Sequence, residues 1–389
     1  MIKRFLQDTI ARELPSNPLI CIQGPRYVGK TTLAKALTPQ ASYVSCRELQ
    51  ARRDATRDPE KFLNNLLSNF QGAIIDDIEY APVLMEKLRN FVLPPGKHII
   101  ATTSLLSLEG KSIADHFGER VKLYTLWPLS IAEREQAQML PASAEAAIMR
   151  GGFALGQRES DSASWHAQYV RTYCEQDVRA AKSLHNETIF YRFLQLCAQA
   201  MGQPVNYSAL RRACDITIHT AKAWIELLEQ TQFIFLLPPH AHAHGKRIIK
   251  SPKLYFVEPA LACAVLQINS AEQLKQNQLY ERILESFVIS DFYKQAFGDG
   301  RKANLSFWKD KAGHEVECLI DKQTASRPVE ITTDNQHVPV TFKKIVYWYK
   351  VSKPTLRDGV VVYAGDNDQE VADGSLVSWR SAKSLNEQS

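Results

Sequence analysis

Residues 19–32 read LICIQGPRYVGKTT, and this stretch decides the fold. LICIQ at 19–23 is a short apolar run suited to a buried parallel strand, and LAKAL at 33–37 reads as helix. Between them stands G-x-x-x-x-G-K-T, in the strand, loop and helix order that a phosphate-binding loop needs. Each residue type has a task. Gly24 and Gly29 let backbone N–H groups wrap an anion, and the helix start adds the positive end of its dipole. Lys30 is placed to reach β- and γ-phosphates, and the Thr31 hydroxyl to ligate Mg²⁺. The candidate nucleotide-binding residues are Gly24, Pro25, Arg26, Val28, Gly29, Lys30, Thr31 and Thr32.

Downstream, GAIIDDI at 72–78 ends an apolar strand in two carboxylates. Asp76 is the natural Mg²⁺ ligand, direct or through water, so Thr31 and Asp76 are the candidate metal residues. Asp77 occupies the place where a glutamate usually polarises the attacking water, which makes Asp77 and Lys30 the candidate catalytic residues. Aspartate is one methylene shorter, about 1.5 Å of reach, and catalysis by positioning is sensitive to such a miss. HIIATT at 98–103 is a third buried strand, and Thr102, Thr103 or Ser104 are candidates to sense a γ-phosphate. A fourth strand at 121–126 precedes Pro128 and a helix starting near Ser130. Such alternation predicts a parallel α/β sheet with the phosphate site beyond the carboxyl ends of its strands.

Length and composition bound the rest. A chain of 389 residues predicts two or three domains, and 45% hydrophobic with 23% charged residues excludes a disordered chain. A net charge of +5 permits an acidic partner without requiring one. Cysteines at 21, 46, 174, 197, 214, 263 and 318 form no C-x-x-C pair, and their odd number predicts reduced, mostly buried thiols. MIKRFLQDTIARELP reads as an amphipathic helix and not a signal peptide, and no apolar stretch approaches the roughly 20 residues of a membrane span. A cytoplasmic location is the expectation.

Residues 141–164, rich in Ala, Gly and Ser, read as a hinge, after which the chain turns helical. Arg120, Arg134 and Arg179 are the candidates for an arginine supplied to a neighbouring subunit's nucleotide. Residues 207–213 and 217–229 form a helix pair of helix-turn-helix type, with Ser208 and Thr217 as starts and FIFLL at 233–237 as a following strand. Thr220, Lys222, Arg211 and Arg212 are its DNA-facing candidates. HAHAHGKR at 240–247 lacks nearby Cys or acidic residues and reads as an exposed hairpin turn. A helix at 281–296, strands at 303–309, 314–321 and 327–332, and segments 342–350 and 359–363 then make a second α/β unit. Glu285, Glu315, Glu317 and Glu330 stand where nuclease folds hold Mg²⁺, but Thr332 replaces the expected lysine and Cys318 lies beside Glu317. The expectation is a structural, inactive version of such a fold.

Taken together, these phrases resemble the AAA-like P-loop ATPases with a DUF4143-type C-terminal domain. GPRYVGKTTL resembles their G-P-R-Q-x-G-K-T-T-L, with Tyr27 for glutamine, and IIDDIEYAP resembles L-D-E-I-Q-x-x-P, with Asp77 for glutamate and Glu79 for glutamine. ATTSLLSL, LYTLWPLSIAE, YVRTYCEQDVR, SPKLYFVEPALA, FWKDKAGHEVECLI and PVEIT follow in the family's order, with Gln176 where the family has arginine. The resemblance implies an α/β architecture: an AAA-like P-loop NTPase domain over 1–155, a helical and winged-helix segment over 165–245, a degenerate nuclease-like α/β domain over 250–370, and a tail from 371. It implies ATP and Mg²⁺ as cofactors and ATP hydrolysis that is weak or partner-dependent. The alternative is a nucleotide-switched interaction or DNA-associated scaffold without turnover. Expected partners are a protein, a second copy of the chain, or weakly bound DNA, and no membrane.

Overall fold

The apolar runs of the first 129 residues become strands because their alternate side chains have two faces to bury. In the computed structural model, which describes residues 2–108, 111–157, 161–175, 186–242, 244–321, 326–333 and 338–386, these strands build a parallel sheet. They are β1 (Leu19–Gln23), β2 (Ser42–Ser45), β3 (Gly72–Asp76), β4 (His98–Thr103) and, after a small hairpin of β5 (Ser107–Leu108) and β6 (Lys111–Ser112), β7 (Lys122–Thr125). The order is β2-β3-β4-β1-β7, with every neighbouring pair parallel. Leu19, Cys21, Ala73, Ile75, Ile99 and Ala101 bury one face against Leu63, Leu67, Met85 and Leu88. Ile20, Ile22, Ile74 and Ile100 alternate to the other face and are equally buried. The N-terminal helix is present as Phe5–Glu13, burying Leu6 and Ile10. β2 escapes a reading by hydropathy because it is an edge strand, SYVS, with no residue fully buried.

This first unit comprises Met1–Leu129 with Gln230–Gln232 and Ala296–Arg301, and a second unit takes the remainder. The second unit starts at Ser130, whose hydroxyl and the Glu133 carboxylate cap each other's backbone N–H groups at the head of helix Ile131–Gln136. Helices Ala144–Arg150, Ser162–Tyr173, Glu187–Gln199, Tyr207–Cys214 and Ile218–Gln230 make its middle segment helical. Asn206, not Ser208, caps the fourth of these by accepting from Ala209 N, while Thr217 caps the fifth by accepting from Thr220 N. β8 (Ile234–Leu237) and β9 (Lys253–Phe256) follow as an antiparallel pair.

The C-terminal sheet uses β10 (Leu305–Lys309), β11 (Glu315–Asp321), β12 (Ser326–Thr332), β13 (Val360–Tyr363), β14 (Gln369–Val371) and β15 (Gly374–Ser378). Its order is β10-β11-β12-β13-β15-β14, antiparallel at both edges and parallel across β12-β13-β15. Helix Val338–Ser352 is the crossover between β12 and β13, and its Phe342, Ile345, Trp348 and Tyr349 pack on Trp308, Leu319 and Val361. The expected tail from 371 is instead part of this sheet. β15 lies between β13 and β14, and Trp379 just beyond it is fully buried. Short length and flanking polar residues hide this strand from a sequence reading. No helix among the described residues is long and apolar enough to cross a membrane.

Candidate nucleotide-binding site

The loop after β1 turns sharply because Gly24 lies under a backbone carbonyl. Its N–H donates to Thr103 O at 3.1 Å, and a Cβ there would come within 2.1 Å of Leu126 O. Gly29, at φ +102°, leads the chain into helix Lys30–Leu37, and a Cβ added there meets nothing within 4 Å. The loop therefore has a tightly seated entry and an open rim. No side chain caps the helix, so its first N–H groups are available to an anion. Tyr27 also holds a left-handed conformation, φ 61°, with its ring half exposed. Pro25 and Val28 are buried supports, Thr32 is exposed, and Arg26 extends to Tyr80 Oη at 3.1 Å.

Gly24→Ala is expected to weaken nucleotide binding by an order of magnitude or more, because relieving a backbone overlap costs about 1–3 kcal/mol and displaces the loop itself. Titration with a fluorescent ATP analogue measures this, and an affinity equal to wild type would show that the Gly24–Leu126 approach is dispensable.

Lys30 Nζ lies inside the loop, donating to Gly24 O at 2.8 Å, Pro25 O at 3.0 Å and Ser104 Oγ at 3.0 Å. Burial pushes its ammonium down to about 8, while Glu79, Asp77 and Asp76 pull it up. Thr31 Oγ1 donates to Asp76, 2.8 and 2.9 Å from its two carboxylate oxygens. Thr102 Oγ1 and Tyr43 Oη also donate to Asp76, at 2.6 and 3.0 Å. A hydroxyl and a carboxylate at hydrogen-bond distance are a hard-oxygen pair of the kind that takes Mg²⁺ together with phosphates and water. Among the described residues no group of three or more His, Cys, Asp or Glu could hold a metal by itself.

The two remaining acids part company. Asp77 is left-handed, φ 52° and ψ 51°, and its side chain meets Arg47 Nε at 2.5 Å. Glu79, on the 3₁₀ turn Ile78–Tyr80, folds back toward β4, where its Oε1 accepts Ser104 N at 3.0 Å. Its Oε2 is buried with no hydrogen-bond partner among the described residues. Burial, with Asp77 adding, holds the Glu79 carboxyl above the usual carboxylate range. Glu79, Tyr43 and Arg47 are the site residues that the motif reading passed over. The signal for Glu79 was a third carboxylate in DDIE, and Tyr43 and Arg47 lie on and after an edge strand without a motif.

Other sequence candidates are placed as follows. Arg134 is 1% exposed and donates to Ala147 O, so it cannot reach a neighbour's nucleotide. Arg120 is exposed and precedes β7, whereas the phosphate loop leaves the opposite, carboxyl end of β1. Arg179 lies outside the described residues. His240 is buried, with Nδ1 3.2 Å from Ser306 Oγ, and not in an exposed turn; His242 is exposed.

In the second unit, Glu285, Glu315, Glu317 and Glu330 are bound up with lysines. Lys253 pairs with Glu285 at 3.1 Å and Glu315 at 2.6 Å. Lys344, from helix Val338–Ser352, meets Glu317 at 2.9 Å and Glu330 at 2.8 Å, supplying the cation that Thr332 does not. Burial, with Glu317 adding, holds Glu330 well above the carboxylate range.

The AAA domain family matches residues 16–135, a domain of unknown function (DUF8612) matches 142–272, and another (DUF4143) matches 280–382. The chain is similar to uncharacterized proteins of Mycobacterium tuberculosis (Rv2008c) and Mycobacterium bovis (Mb2031c). Each is 27% identical over 329 residues, covering 82% of this chain and 71% of the relative. Among solved structures, a Walker-type ATPase of Pyrococcus abyssi aligns with 68% of this chain and 96% of its own, at 15% identity and a TM-score of 0.46.

Proposed function

From the premise that residues 16–135 belong to the AAA domain family and residues 280–382 to DUF4143, we propose that the protein binds ATP with Mg²⁺ and hydrolyses it slowly on its own. The P-loop arrangement makes the first unit a nucleotide-binding domain. The observation that carries hydrolysis is the convergence of Lys30, Thr31 and Asp76 at the carboxyl ends of β1 and β3. Lys30 leaves the Gly24 and Pro25 carbonyls for the β- and γ-phosphates, and the backbone N–H groups of the loop bind the remaining phosphate oxygens. Thr31 and Asp76 would hold Mg²⁺, which supplies charge neutralisation on the phosphates. Thr102 and Tyr43 fix the Asp76 carboxylate in rotation. Turnover is slow because the described arginines beside this loop are engaged within the chain: Arg4 donates to Val28 O and Trp127 O, while Arg26, Arg47 and Arg52 converge on Tyr80.

Purified protein with ATP and Mg²⁺ tests this. Steady phosphate release is expected from wild type and is expected to fall about 100-fold or more in Lys30→Ala, the loss typical of a removed transition-state donor. ATP binding without any release, with DNA absent or present, would replace hydrolysis by a nucleotide-switched scaffold.

A further inference from the structure

We infer that Glu79, and not Asp77, is the carboxylate that activates the attacking water, an assignment that rests on the ATPase function proposed above. The backbone decides it. At Asp77 the chain enters a left-handed conformation, which aspartate tolerates better than most residues, and the carboxylate meets the Arg47 guanidinium at 2.5 Å. The Asp77 N–H donates to Thr102 Oγ1 at 3.0 Å, and that hydroxyl in turn donates to Asp76. Asp77 is thus a positioning residue that holds Arg47 and aligns the Asp76 hydroxyl network.

The 3₁₀ turn that follows brings Glu79 back over the end of β4. Ser104 joins it to the phosphate loop: its N–H donates to Glu79 Oε1 at 3.0 Å, and its hydroxyl accepts from Lys30 Nζ at 3.0 Å. One residue therefore separates the Glu79 carboxylate from the lysine that meets the γ-phosphate. The second oxygen, Oε2, is buried with no hydrogen bond among the described residues. An unfilled buried acceptor is costly, and a carboxylate oxygen more so than a neutral one. A water donating to Oε2 satisfies it and is held for attack.

In the step so assigned, the water oxygen bonds to the γ-phosphorus while Glu79 Oε2 takes one of its protons. The bond from the γ-phosphorus to the bridging oxygen breaks, and its electron pair leaves with ADP. The proton then passes from Glu79 to the released phosphate. ATP and water become ADP and inorganic phosphate, and the carboxylate is restored.

The test compares the full chain with Glu79→Gln, Glu79→Asp, Asp77→Asn and Lys30→Ala, measuring kcat with Mg²⁺ and ATP and, separately, affinity for a fluorescent ATP analogue. Glutamine keeps an acceptor for Ser104 N but removes the base. Glu79→Gln is expected to lower kcat about 100-fold or more, with nucleotide affinity within about threefold of wild type. Glu79→Asp should fall between the two, and Asp77→Asn should retain kcat within about tenfold of wild type. Loss of kcat in Asp77→Asn with retention in Glu79→Gln overturns the assignment while leaving the ATPase function standing. So does a Glu79→Gln protein that loses affinity and kcat together. A wild-type protein that binds Mg²⁺ and ATP without releasing phosphate overturns both.

Discussion

A chain ending at residue 368 is expected to lose the cooperative folding of its C-terminal sheet. The cut removes β14 and β15 and leaves β13, an interior strand, as an edge. Val360–Tyr363 would lose its parallel partners Ser375–Ser378. Leu376, Val377, Trp379 and Leu385 are buried, and each such side chain contributes about 1.5–3 kcal/mol through burial. Together they approach the roughly 5–15 kcal/mol of net stability that a domain has, so the sheet does not survive their loss. The first unit contains no residue beyond Arg301, so its nucleotide binding is expected to persist. Near-ultraviolet circular dichroism with denaturant titration checks this. A truncated chain whose second unit still melts cooperatively within a few degrees of wild type would show that residues 369–389 are dispensable.

The second large effect is expected from Lys253→Met. Lys253 Nζ is buried between Glu285 on helix Tyr280–Gly298 and Glu315 on β11, tying β9 to both. Tyr255 Oη also donates to Glu285, at 2.5 Å, while Lys309 meets Glu315 at 2.6 Å. Removing Lys253 leaves Glu285 a buried charge with a phenol as its remaining partner among the described contacts. Breaking a buried pair from one side costs about 3–5 kcal/mol, whereas replacing both partners by apolar groups is often near neutral. Lys253→Met with Glu285→Leu is therefore expected to recover most of the loss, as a double-mutant cycle in urea measures.

The pH dependence has a definite sign. Burial already raises the Glu285 carboxyl, against the pull of Lys253, and losing Lys253 raises it further. A group raised in the folded state favours folding at low pH and loses that contribution as pH rises through its folded value. The stability gap between wild type and Lys253→Met should therefore widen from pH 6 to pH 8. A gap that narrows over that range would show that the lysine does not counter the Glu285 charge.

Much of the first unit was legible because its signals are local. LICIQGPRYVGKTT carries a buried strand, a glycine-dependent loop and a helix start within 14 consecutive residues. Gly24 and Gly29 flank the turn between β1 and helix Lys30–Leu37, Lys30 Nζ donates to Gly24 O, and Thr31 Oγ1 lies 2.8 Å from Asp76. The helix start at Ser130 was legible for the same reason, and the structure adds its reciprocal cap with Glu133, an i to i+3 pair. The carboxylate next to Asp76 was a different matter. Sequence adjacency favoured Asp77, but a positive φ and an arginine just after β2 turn it away, and neither is written in DDIE.

The second unit divides along the same line. Hydropathy marked β10 to β13 and the helix Tyr280–Gly298, but β15 is a short run whose interior place comes from its neighbours in the sheet. The lysine missing after Glu330 is supplied by Lys344 through the packing of the crossover helix on β12, across a separation that no motif spans. Arg134 was a candidate to reach a neighbouring subunit's nucleotide, but it is buried and donates to Ala147 O on helix Ala144–Arg150. What the amino-acid order determined alone was the phosphate loop, because its chemistry is held in one continuous strand, turn and helix. What only the tertiary structure decided was which acids and bases meet, because charge pairs form between residues that folding, not chain connectivity, makes neighbours.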